Sequence, residues 1–241
     1  MSLPGALYLL PNLLNGTDTS IIAPSVQALL PKIGGYIVED LRNARRYLLQ
    51  LGLREAGITI DSLIWIELDK HHPASQNFSG CWELSQQKGI NWGLLSEAGC
   101  PAIADPGSVV VRSAHKAGIV VKPQPSPSSL LMALMASGCN GQQFAFLGYL
   151  PIQAGAKTAA LKKAGQNAAN LGQSQIIIET PYRNDALLTE MIATLHPERW
   201  LCVAADLTLP TEQIWAQSVA TWRSLPTLPK LNKRPAVFII G

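Results

Sequence analysis

Short apolar runs of β type alternate along this chain with stretches whose apolar residues recur every three to four positions. The strand-like runs of the first half are Leu7–Leu10, Tyr36–Val38, Leu63–Ile66, Gly93–Leu95 and Ile119–Val121. Those of the second half are Phe144–Leu147, Gln175–Ile178, Leu201–Ala204 and Ala236–Ile240. Between them, Glu39–Leu51 places Leu41, Ala44, Leu48 and Leu51 on one face at helical spacing. Ser128–Ser137 and Asp185–Leu195 read the same way, and Ser128 is placed to cap the first of these, with Pro127 just ahead of it. Strands alternating with helices predict an α/β fold of mostly parallel sheets.

Composition shifts in the middle. Lys122-Pro123-Gln124-Pro125-Ser126-Pro127-Ser128-Ser129 carries proline at alternate positions, which is stiff and extended. Read as a linker, it divides the chain into an N-terminal α/β domain, 1–121, and a C-terminal α/β domain, 122–241. Read otherwise, it is a long surface loop.

With 47% hydrophobic and 15% charged residues, the 241-residue chain has material for a full core. No apolar run reaches the roughly 18–20 residues that span a bilayer, and no secretory leader pattern opens the chain, so a cytoplasmic protein without a membrane partner is expected. The net charge of +3 permits nucleic acid as a partner without arguing for it. Cys81, Cys100, Cys139 and Cys202 form no CxxC pair, and buried thiols are the default reading. The histidines, His71 and His72 among them, lack ligand spacing, so no metal is expected.

Function gathers at the ends of the strand-like runs. Ser96 to Gly107, rich in Gly, Pro and short acids, joins the run Trp92–Leu95 to the helix-like Ser108–Ala117. It exceeds the usual strand-to-helix connection of about 2–6 residues. In open α/β sheets the carboxyl edge is where ligands bind. Glu39-Asp40-Leu41-Arg42, Glu179-Thr180-Pro181-Tyr182-Arg183 and Asp206 stand at other strand ends. Acids in a first helical turn also have a purely structural use against the helix dipole. The G-x-G-x-x-G, Walker A and G-x-S-x-G patterns do not occur.

These blocks resemble a known family. Ser96–Gly107 is similar to the S-D-A-G-T-P-x-I-S-D-P-G signature of the S-adenosylmethionine-dependent tetrapyrrole methylase superfamily. The nearest pattern is the branch that 2′-O-methylates a cytidine of small-subunit ribosomal RNA. Glu39-Asp40-Leu41-Arg42 resembles A-E-D-T-R, Pro125–Ser129 resembles P-G-P-S-A, Phe146–Pro151 resembles F-x-G-F-L-P and Glu179–Arg183 resembles E-S-P-H-R. The order of the blocks is preserved.

The resemblance implies a homodimer of two-lobed chains with S-adenosylmethionine in a cleft between the lobes. It implies cofactor contacts at Leu14, Glu97, Ala98, Gly99, Cys100, Pro101, Ile103, Ser128, Ser129, Glu179, Pro235 and Ala236. It offers Glu39, Asp40, Glu179 and Asp206 as candidate acids, in that order, with Arg42 and Arg183 orienting them or holding a substrate phosphate. The chain departs from the pattern at Glu97, Cys100, Ser126 and Tyr182. Ala205-Asp206-Leu207-Thr208-Leu209 stands where the branch has R-E-L-T-K. The expected function is methyl transfer to a ribose 2′-hydroxyl of ribosomal RNA. The alternatives are a methyltransferase of a tetrapyrrole or other small molecule, and a catalytically weak cofactor-binding regulatory module.

Overall fold

The computed structural model describes residues 4–69, 72 and 75–241; His71 lies outside the described residues. Contacts divide the chain into two compact units, Met1–Ser128 and Ser129–Gly241.

The first unit holds β1 (Ala6–Leu9), α1 (Pro24–Gln27), β2 (Gly35–Val38), α2 (Leu41–Gln50), β3 (Ile64–Glu67), α3 (Ser79–Lys88), β4 (Trp92–Leu95), α4 (Ser108–Lys116) and β5 (Val120–Pro123). Its five strands lie in the order β3-β2-β4-β1-β5, and every pairing is parallel. The residues of β2 and β4 are all buried, as strands covered on both faces must be. One face packs on Tyr36, Tyr47, Leu48 and Leu53, the other on Trp82, Trp92, Val110 and Ala114. Gly35 is needed for this layering, because a Cβ there would meet the Trp92 ring at 2.6 Å.

The second unit holds α5 (Ser129–Ser137), β6 (Phe144–Tyr149), α6 (Ala154–Leu171), β7 (Ser174–Ile178), α7 (Asn184–Thr194), β8 (Trp200–Ala205), β9 (Gln213–Ser218), α8 (Val219–Ser224) and β10 (Ala236–Ile240). Its sheet runs β6-β7-β10-β8-β9. Only β6 and β7 pair in parallel; β10 is antiparallel to both neighbours, and β9 to β8. The nine strand-like runs of the sequence all form strands, with ends moved by a few residues. The tenth, β9, and the long helix α6 are additions. Cys81 and Cys202 are buried free thiols, as the default reading expects, whereas Cys100 and Cys139 are free thiols that are only partly buried. Burial raises the Cys81 thiol to about 11 and the Cys202 thiol to about 12, which makes both inert.

Candidate functional site

The first unit has a topological switch point at β4, whose onward connection runs opposite to those of both its neighbours, β2 and β1. β1 and β4 are neighbours, yet the chain leaves β1 toward β2 on one side and leaves β4 toward β5 on the other. A crevice opens at the carboxyl ends of such a pair. The Ser96–Gly107 loop begins there, beside the segment Leu10–Gly16 that follows β1.

Backbone and carboxylate bonds fix that loop. Asn12 is buried, its side-chain amide donates to the Ser96 and Glu97 carbonyls, and its N–H donates to the Gly99 carbonyl. The Gly99 N–H returns a bond to the Leu13 carbonyl. Glu39, at the end of β2, accepts from the Glu97 N–H at 2.8 Å. Asp105 accepts from the N–H groups of Ala102 and Gly107. Ala102 and Ala104 both have positive φ, at 67° and 62°. Such single left-handed residues cost about 1–2 kcal/mol each, and the Asp105 carboxylate holds the turn that requires them. Burial raises the Asp105 carboxyl above its ordinary value, against the opposing pull of these N–H donors.

Gly99 sits at φ +64°, where a Cβ would stand 3.0 Å from Leu14 and 3.1 Å from the Pro127 carbonyl. The Cys100 thiol donates to the same Pro127 carbonyl at 3.4 Å, so cysteine keeps a donor where the family pattern has threonine. Burial pushes that thiol up, with Ser128 and Ser126 bonding against it. Pro101 is buried beneath the loop, while Glu97, Ala98 and Ile103 are exposed on it. The N–H groups of Ala98 and Cys100 have no partner among the described residues.

The acids after β2 have defined local tasks. Asp40 caps α2, accepting from the Asn43 N–H at 2.7 Å. Arg42 is exposed on the first turn. Arg45 lies over the Trp65 ring at 5.2 Å, and Arg46 bonds Asn43.

In the second unit β7 and β8 run in the same direction on either side of β10, so the ends of β7 and β8 and the start of β10 share one edge. Glu179 follows β7 and is buried. Burial would raise its carboxyl, but bonds from the Arg183 guanidinium and the Thr180 N–H, each 2.6 Å, hold it below its ordinary value. Asp206 follows β8 at φ +53°, accepting from Arg234 Nε at 2.7 Å and Thr211 Oγ1 at 3.0 Å. Arg234 directly precedes Pro235 and Ala236; it also reaches Gln213 Oε1 and the Thr211 carbonyl and lies against Trp215. The Asp206 N–H donates to the Pro235 carbonyl, and Asn184 holds the Arg234 carbonyl. Ser129 opens α5.

The structure thus gathers Leu14, Glu39, Glu97–Pro101, Ile103 and Ser128 in the first unit, and Glu179, Arg183, Asp206, Pro235 and Ala236 in the second. Asn12, Tyr47 and Arg234 were not singled out by the sequence. Only Arg234, beside the Pro235-Ala236 pair, carried a signal that could have found it. Among the described residues no cluster of His, Cys, Asp and Glu could hold a metal, and no helix is long and apolar enough to cross a membrane.

The donor set fits S-adenosylmethionine: short exposed backbone with unused N–H groups, and a bare Gly99 where a Cβ would crowd its neighbours. No protein-family profile matches the chain. Ribosomal RNA small subunit methyltransferase I of Xylella fastidiosa (strain Temecula1 / ATCC 700964) is 28% identical over 240 residues, covering all of this chain and 82% of that protein. The protein of the same name from Haemophilus influenzae (strain ATCC 51907 / DSM 11121 / KW20 / Rd) is 35% identical over 155 residues, 64% of this chain. That match spans about half the relative's length, 53%. The methyltransferase CobJ superposes with a TM-score of 0.60 at 15% identity, covering 98% of this chain and 94% of its own. A uroporphyrin-III C-methyltransferase of Thermus thermophilus, complexed with S-adenyl homocysteine, gives 0.55 at 14%, covering 98% and 97%. By sequence the chain is similar to proteins named ribosomal RNA small subunit methyltransferase I, and its fold is that of these two solved methyltransferases.

Proposed function

We propose that this chain transfers a methyl group from S-adenosylmethionine to a ribose 2′-hydroxyl of small-subunit ribosomal RNA. The observation that carries this reading is the Ser96–Gly107 loop. It is fixed by Asn12, Glu39 and Asp105 at a sheet switch point, in a chain that aligns over its whole length with a protein named as a ribosomal RNA small subunit methyltransferase.

The bound cofactor supplies an electrophilic methyl on a sulfonium. The chain's part is to hold donor and acceptor near collinear, and positioning of this kind contributes on the order of 7–11 kcal/mol. The loop backbone from Glu97 to Ile103 suits the donor, because bonds to Asn12, Glu39 and Asp105 fix its conformation. Leu14 and Ser128 complete that grip within the first unit in this reading.

A ribose hydroxyl is a weak nucleophile and gains from a proton acceptor. The four candidate acids differ in their engagements. Glu179 and Asp206 each bind a guanidinium, which favours the ionised form and weakens a base. Asp40 is committed to the α2 cap. Glu39 accepts from the Glu97 N–H and so stands against the loop itself, which makes it the preferred acceptor. Arg42 and Arg183 are both exposed and suited to the substrate phosphate.

This reading places the protein in the cytoplasm as a homodimer. The edge strand β6 supports a second copy as its cover, since Phe144, Phe146, Leu147 and Tyr149 are exposed along it. Calorimetric titration with S-adenosylmethionine and S-adenosylhomocysteine, followed by labelled-methyl transfer to small subunits lacking the modification, tests the proposal. Micromolar binding and label in a ribose are expected. Binding without transfer to any RNA would favour the regulatory module, and no binding would end the enzyme reading.

A further inference from the structure

A hollow of about 250 Å³ lies in the first unit, beside the segment that follows β1. We infer that it seats one nucleotide of the RNA strand, with neutral amides reading the base edge and Arg46 meeting a phosphate. The inference rests on the RNA reading above and adds a residue-level specificity site to it.

The walls carry the argument. Asn43, Arg46, Tyr47 and Gln50 all line the hollow from α2, at the spacing that places residues on one helical face. Asn15 and Glu97 face them across it. A carboxamide both donates and accepts in one plane, which is the pattern a base edge presents. A guanidinium offers the planar fork that fits phosphate. Of the three arginines on α2, Arg45 is committed to the Trp65 ring and Arg42 does not line the hollow.

The geometry is prepared. Tyr47 is buried, with its hydroxyl fixed on the Pro11 carbonyl at 2.7 Å. Arg46 donates to Asn43 Oδ1 at 2.6 Å, which orients that amide. Glu97 belongs to the loop read as the cofactor grip, so an occupant here would sit next to the reacting groups. A tetrapyrrole would demand a broad apolar wall and several cations for its carboxylates. This hollow offers Leu13 and Leu14 as its aliphatic side chains and Arg46 as its single cation.

Fluorescence anisotropy with labelled single-stranded oligo(rA), oligo(rC) and oligo(rU), in the presence of S-adenosylhomocysteine, tests this. The wild type should rank the three strands. Asn43→Ala and Gln50→Ala should compress that ranking by roughly five- to tenfold each, the scale of one lost base-edge contact. Arg46→Ala should weaken all three alike by about tenfold and lower the salt slope by about one. Arg54→Ala, an exposed arginine outside the hollow, should match the wild type. Retained affinity for S-adenosylhomocysteine by calorimetry certifies folding of each variant. Wild-type ranking and affinity in all three hollow variants would overturn the nucleotide seat while leaving the RNA reading intact. Failure of the wild type to bind any strand would overturn both.

Discussion

The two strand edges of this molecule use carboxylates in opposite ways. In the first unit Glu39 and Asp105 accept from backbone N–H groups of the Ser96–Gly107 loop, so charge is spent on holding a backbone shape. In the second unit Glu179 and Asp206 each meet a guanidinium, so charge is cancelled by charge. The first arrangement gives a loop whose peptide groups are fixed and partly unused, which is what a backbone-reading site requires. The second gives a rigid, electrically quiet frame. A carboxylate at a strand end is therefore no guide to chemistry until its partner is known.

Four substitutions would break or sharpen that contrast. The largest effect is expected at Asp206→Ala. It removes the one carboxylate from the Arg234 guanidinium, which is only 22% exposed and keeps only neutral acceptors. Removing one member of a buried pair costs about 3–5 kcal/mol. Denaturant unfolding should show that loss, and the Asp206→Asn/Arg234→Gln double variant should recover part of it; equal losses in both would mean the pair is not what holds the turn.

Next comes Glu179→Gln, which replaces a charged acceptor of two bonds at about 1.5–3 kcal/mol. Its pH dependence is the sharper readout. The folded carboxyl is held below the ordinary 4.5, so its stabilising contribution is complete above that value and lost as pH falls through the folded value. The acid limb of the stability curve should flatten in the variant. An unchanged acid limb would remove Arg183 as the cause.

Gly99→Ala places a Cβ at positive φ and should cost about 1–2 kcal/mol. Its larger consequence should be lost S-adenosylhomocysteine affinity, because the loop must shift from Leu14 and Pro127. Full affinity in calorimetry would take the Gly99 backbone out of the cofactor grip. The smallest effect belongs to Cys100→Thr. The hydroxyl can donate to the same Pro127 carbonyl, so stability should stay within about 0.5–1.5 kcal/mol of wild type. A larger change in either direction would mean that the sulfur's packing matters more than its bond.

Much of the first unit was legible because parallel strands buried on both faces read as short continuous apolar runs. β2 and β4 fall where the pattern put them. β9 was not legible: Gln213-Ile214-Trp215-Ala216-Gln217-Ser218 sits at a sheet edge, exposed enough to mix polar and apolar positions. α6 was missed because its alanines, lysines and glycines show little contrast between faces. The direction of β10 was hidden too, since an apolar run carries no mark of whether its neighbours run with it or against it. At the site, motif matching reached the loop and the acids but not their partners. Asn12 and Arg234 act through bonds to residues 84 and 28 positions away, and no local spacing announces those.

The place of β10 in its sheet has a consequence for how the chain is made. The first unit can complete its sheet once residue 123 is available, because every strand it needs precedes that point. The second cannot. Until Ala236–Ile240 arrives, β6-β7 and β8-β9 are two separate ribbons whose inner edges have nothing to bond. During synthesis the half that carries the fixed loop is thus assembled while its companion is still an open pair of hairpin-sized pieces, a state in which bare strand edges invite the wrong partner. Proteolysis of nascent chains arrested short of residue 236 should cut the second unit and spare the first; equal protection of both would show that the ribbons close without their central strand.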